Sequence, residues 1–153
     1  MVAAAATQGG EAKSGGRVSA EQLRELLDRT LTELDRDERL GPLIRATGIR
    51  LRLDCPDVGL VLNVAASERG DRHLRWAFSD DVDWDPRLEL RMRSDVANAY
   101  LQGKESLAVA IARGKVRVRG ESKVALLYVP TTRLIEEPYR RCARELHPDL
   151  VLT

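Results

Sequence analysis

Leucines recur at helical spacing early in the chain. Leu23, Leu26, Leu27, Leu31 and Leu34 share one face, and Ser19 with Gln22 stands before them in the spacing of a capping box. This predicts a helix opening at Ser19 and ended by Gly41-Pro42. The period then changes to two. Ile49, Leu51 and Leu53 alternate with Arg50, Arg52 and Asp54, and after Cys55-Pro56-Asp57 come Val58, Leu60, Leu62 and Val64. Beyond a turn at 67–71, Leu74, Trp76 and Phe78 mark a third strand. Leu88, Leu90 and Met92 mark a fourth after the acidic loop 79–86. Strands in this succession predict a meander, a mainly antiparallel sheet with one buried face.

Helical spacing then returns. Ser94 is read as the cap of a short helix carrying Val96, Ala97, Tyr100 and Leu101 and ended by Gly103. A second short helix is expected over about 106–113, ended by Gly114. Val116 and Val118 form a fifth strand whose other face carries Lys115, Arg117 and Arg119, with Gly120 closing it. Residues 121–129 read as a helix interrupted by Pro130. Leu134, Ile135, Tyr139, Cys142, Ala143 and Leu146 read as a final helix that Pro138 kinks or starts afresh. The expected architecture is α+β: a five-stranded, mostly antiparallel sheet with helices over one face.

Composition adds a boundary. Residues 1–17 are Ala, Gly, Ser, Thr, Gln and charge, and are expected to form a disordered tail ahead of one domain over 18–153. The 25 basic and 24 acidic side chains give a net charge of +1, which nominates no polyanion partner. Charge is uneven along the chain, since residues 111–147 hold nine Lys/Arg against four Asp/Glu. Single-strand binders pair such charge with stacked aromatics. Aromatics are only 4% here and KVRVRG has none, so a solvated strand face is the simpler reading and no nucleic-acid partner is expected.

Several chemistries can be tested by spacing and fail. Gly103-Lys104 and Gly114-Lys115 are followed by Glu105 and Val116, where a phosphate loop needs Ser or Thr. Asp81, Asp83 and Asp85 open like a calcium loop, but Pro86 and Met92 occupy its glycine and glutamate positions. His73 and His147 are the only histidines, and His73 falls on a solvent-facing parity. Cys55 and Cys142 lack metal-ligand spacing and are expected as reduced thiols in a cytoplasmic protein, Cys142 buried. No catalytic residue, metal or cofactor is expected.

This leaves the apolar segments LAVAIA (107–112) and VALLYV (124–129), apolar nearly all round, with Ala97, Ala99, Ala108, Ala110, Ala112 and Ala125 as small residues in and near them. Small side chains leave gaps that either core or a ligand fills, and the pattern fits both equally.

The order of elements resembles the lipid-binding domain of sterol carrier protein 2. RLELRMR (87–93) leads through Ser94-Asp95 to the helix at 96–101 and Gly103-Lys104. Then come the apolar helix and GKVRVRG (114–120), similar to that family's glycine-bounded strand. The resemblance covers 49–129, about half the chain. It implies an apolar tunnel between sheet and helices that binds fatty acids, acyl-CoA, sterols or similar lipids without catalysis, in a stand-alone bacterial member. On that basis the expected lining is Trp76, Met92, Tyr100, Leu101, Leu107, Ile111, Val118, Leu126 and Leu127. Arg113, Lys115 and Arg117 are expected at the rim, for an anionic headgroup or transient contact with a membrane surface. The long C-terminal helix departs from the family. Two other readings stay open: a pocket enzyme or accessory factor of cyclase or isomerase type, and an interaction module docking through 134–146.

Overall fold

The computed structural model describes residues 17–153; the tail expected over 1–17 lies, Arg17 apart, outside them. The elements run α1 (Ala20–Arg36), α2 (Leu40–Ala46), β1 (Arg50–Cys55), β2 (Leu60–Ala66), β3 (Leu74–Ala77) and β4 (Leu88–Met92). There follow α3 (Ser94–Leu101), α4 (Leu107–Ala112), β5 (Val116–Gly120), α5 (Ser122–Leu146) and a closing 3-10 turn, Pro148–Leu150. Among the described residues the architecture is α+β, a five-stranded mixed sheet with five helices.

Register explains why one face of the sheet is apolar. Leu51 lies opposite Val64, Leu53 opposite Leu62, and Leu90 opposite Val118, so alternate side chains on neighbouring strands project together. They meet Leu27, Leu31 and Leu34 of α1, Leu101 of α3 and Ile135 of α5. The Ser19 hydroxyl accepts from the Gln22 N–H at 3.1 Å, and the Gln22 side chain accepts from the Ser19 N–H at 3.1 Å, completing the capping box.

The meander expectation is corrected. The sheet order is β3-β2-β1-β4-β5, and β4 pairs parallel with β1, Leu51 opposite Leu88 and Leu53 opposite Leu90. Alternation specifies which residues face inward, not which strand is the neighbour. Loop 79–86, which leads to β4, is tied to the strands. Arg52 Nε and Nη2 donate to the Asp80 carboxylate at 2.8 Å each, and Asn63 Nδ2 donates to the Ser79 carbonyl at 2.8 Å. The Arg75 guanidinium lies 4.5 Å from the Trp84 ring centre. These bonds hold the connection on the outer side of β1 and β2 while the chain returns to the free edge of β1.

Three further expectations change. Gly41-Pro42 does not follow the first helix but sits in the first turn of α2, where a missing N–H costs nothing. Ser94 is not a cap residue. Its N–H and hydroxyl donate to Asp57 at 2.9 and 2.7 Å, so a carboxylate from the β1–β2 turn serves the N-terminus of α3. The two helices expected around Pro130 are one continuous α5 containing both prolines. Next to the proline the Thr131 and Thr132 hydroxyls donate to the Leu127 and Val129 carbonyls at 3.3 and 2.7 Å, tying these side chains to the helix backbone. Burial of Tyr128, Tyr139, Cys142 and Ala143 then outweighs the roughly 3 kcal/mol penalty of an interior proline.

Candidate functional site: an apolar groove beside the last strand

An open groove of about 560 Å³ runs between the sheet edge and two helices. Its floor is Leu88 and Leu90 of β4 with Val118 and Gly120 of β5. One wall is Leu107, Ala108 and Ile111 of α4. The other is the start of α5, with Ala125, Leu126, Val129 and Pro130, preceded by Glu121. Glu121 is the only polar side chain among these. Gly120 makes the corner between strand and helix. Its φ is +130°, and a Cβ there would lie 2.4 Å from the Arg87 carbonyl oxygen, so only glycine lets β5 end against β4 and turn at once into α5.

A second void of about 60 Å³ lies enclosed between the sheet and α1, α3 and α5. Ligand pockets span roughly 300–1,000 Å³. The groove falls inside that range and the enclosed cavity below it, so the interior between sheet and helices is largely filled by side chains. Leu90 lines both. The polar side chains lining the cavity are Thr30, whose hydroxyl donates to the Leu26 carbonyl at 2.6 Å, and Tyr100 and Thr132, whose hydroxyls lie 2.7 Å apart. Burial pushes the Tyr100 phenol above its ordinary value, against the opposing Thr132 bond.

The residues nominated from sequence divide between these places. Leu107, Ile111, Val118 and Leu126 line the groove, and Met92, Tyr100 and Leu101 line the enclosed cavity. Leu127 lines neither and is half exposed. Trp76 sits on the edge strand β3, its indole N–H donating to Asp28 at 2.9 Å and its ring 5.5 Å from the Arg72 guanidinium. Arg113 caps the C-terminus of α4, Lys115 pairs with Glu105 at 3.5 Å, and Arg117 projects from the outer face of β5. None of these three cations lines the groove. Sequence reasoning passed over Glu121 and Pro130. The available signal was the direct succession of Gly120, Glu121 and an apolar helix.

Around the mouth the surface is unusual. Among the described residues the exposed large hydrophobics are Leu43, Val109, Ile111, Leu126 and Leu127, and all but Leu43 belong to α4 or the start of α5. Leu126 is 78% exposed. Residues 103–133, which carry them, hold seven Lys/Arg against two Asp/Glu in a chain of net charge +1.

Other candidate features are structural. His73 is half-buried rather than solvent-facing, because its ring packs against Gly41, where a Cβ would meet it at 2.4 Å. Asp35 accepts from the His73 and Leu74 N–H groups at 2.7 and 2.9 Å, joining α1 to β3. Cys55 and Cys142 are free and fully buried, and burial pushes the Cys55 thiol up to about 12. On the final helix Tyr139, Cys142 and Ala143 are buried against the core. The apolar stripe invoked for a docking module is therefore already covered.

No family model matches the chain, and no curated protein matches it. Solved structures do. The ubiquinone synthesis protein UbiJ-SCP2 superposes with a TM-score of 0.51 at 20% identity, covering 69% of this chain and 84% of that one. A conserved hypothetical protein of Thermus thermophilus, a candidate sterol carrier protein, gives 0.54 at 12% identity over 77% and 86%. Sterol carrier protein domain 2 of Helicoverpa armigera gives 0.53 at 11% identity over 86% and 95%. The fold of this chain is that of sterol carrier protein 2 domains.

Proposed function

We propose that this chain binds and carries a hydrophobic molecule, seated in the groove between β5, α4 and the start of α5. The observation that carries the reading is that a groove of ligand size, with a single polar side chain in its described lining, is walled by α4 and the start of α5, which carry four of the five exposed large hydrophobics of the described surface. Such patches mark interaction or ligand sites. Each methylene moved from water into the groove contributes about 0.8 kcal/mol. About ten supply ~8 kcal/mol, offset by association costs, which sets the expected affinity in the micromolar range.

The same patch serves loading. Leu126, Leu127, Val109 and Ile111 enter the interfacial layer of a bilayer, and the surrounding cations meet anionic headgroups. No helix among the described residues is long and apolar enough to cross a membrane, so the proposed contact is with its surface. Similarity to sterol carrier protein domains supports the carrier reading.

The test is to extract purified protein with organic solvent, identify apolar molecules by mass spectrometry, and weigh the intact protein under native conditions. A stoichiometric apolar ligand, or micromolar uptake of a long-chain probe, is the expected result. A protein that emerges empty and takes up no long-chain alcohol, amine or acid overturns the reading.

A further inference from the structure

The groove's polar chemistry is one-sided. Glu121 is the only polar side chain in its described lining, and a carboxylate accepts hydrogen bonds without donating them. Pro130, on the same wall, has no backbone N–H to donate. Among the described residues the lining holds no side-chain donor and no cation. Arg117 lies on the other face of β5, and Lys115 is engaged with Glu105.

From this we infer that Glu121 sets the headgroup selectivity of the groove, favouring an amphiphile whose polar end is an uncharged hydrogen-bond donor, such as an alcohol, over an anionic carboxylate. The inference rests on the carrier reading and refines it. A hydroxyl head donates to the Glu121 carboxylate while its chain lies along Leu88, Leu90 and Val118. A carboxylate head finds no donor in the groove and meets a like charge. The basic residues outside the groove act on a surface, not on the ligand's head.

The experiment compares dodecanol and dodecanoate at pH 8, each displacing an uncharged fluorescent reporter, in the full chain and in Glu121→Gln and Glu121→Lys. Glu121 precedes α5 without making a side-chain capping bond, so both variants are expected to fold. The wild type should prefer the alcohol by about tenfold. Glu121→Gln should narrow that ratio by gaining dodecanoate affinity, and Glu121→Lys should invert it. Equal or tighter dodecanoate binding by the wild type, or a ratio unmoved by both substitutions, overturns the inference while the carrier reading stands. Failure of both amphiphiles to displace the reporter overturns the carrier reading and this inference with it.

Discussion

The Tyr128 hydroxyl donates to the Gly48 carbonyl at 3.0 Å and accepts the Arg50 N–H at 3.2 Å. One fully buried side chain thus anchors α5 to the start of β1. It lies within the groove-lining stretch of the helix, between Leu126 and Val129, and so helps fix where Ala125 and Val129 stand. Tyr128→Phe keeps the ring and removes both bonds, and should cost about 1–2 kcal/mol in urea unfolding. A variant as stable as the parent would show that packing alone positions this helix.

The Arg52–Asp80 contact holds the β3–β4 loop, and its pH dependence follows from the sign of the shift. The hydrogen bonds from Arg52 and then Asn63 hold the Asp80 carboxyl at about 2, below its ordinary 3.8. A group depressed in the folded state contributes above its ordinary value, and the contribution fades as pH falls through the folded one. The latch is therefore intact above about pH 4 and lost towards pH 2. The Asp80 carboxyl ¹³C shift should titrate near 2 and move towards 3.8 in Arg52→Gln. An unchanged midpoint in that variant would contradict the latch.

Both thiols should be inert in the folded protein. Burial, with the nearby Asp57, Asp54 and Asp95 carboxylates, raises Cys55 to about 12, and burial also raises Cys142. At pH 8 labelling by a disulfide reagent should be slow in buffer and fast in concentrated urea. Rapid native labelling of Cys55 would place it at the surface.

Vesicle binding should need both the apolar tip and the charge around it. Co-sedimentation with phosphatidylglycerol vesicles should exceed that with phosphatidylcholine and weaken as salt rises. Leu126→Asp combined with Leu127→Asp should abolish it with little change in melting temperature, since Leu126 is largely and Leu127 half exposed. Equal sedimentation of parent and variant would remove α5 from the contact.

How far the sequence carried can be read from individual residues. Period-two alternation found all five strands and their inward residues, because Leu51, Leu53, Leu88 and Leu90 obey the pleat wherever their neighbour lies. It could not find the parallel β1–β4 pairing, because alternation does not specify which strand is the neighbour. Ser94 showed a helix start but not that Asp57 would supply the capping carboxylate. Pro130 read as a break because local rules omit the burial that carries α5 through it. For the site, apolar helices beside a glycine-bounded strand pointed to the right quarter of the molecule. The division of Met92, Tyr100 and Leu101 from Leu107, Ile111, Val118 and Leu126 into two voids depends on how closely α1, α3 and α5 settle on the sheet, which spacing does not encode.

The central claim is that the open groove, not the enclosed cavity, holds the ligand. The direct measurement is uptake of an uncharged long-chain fluorescent probe by the wild type and by Ala108→Trp, which fills the groove from an exposed position on α4. Micromolar binding by the wild type is expected, with at least about a tenfold loss in the variant at unchanged melting temperature. Undiminished binding by a folded Ala108→Trp would contradict it.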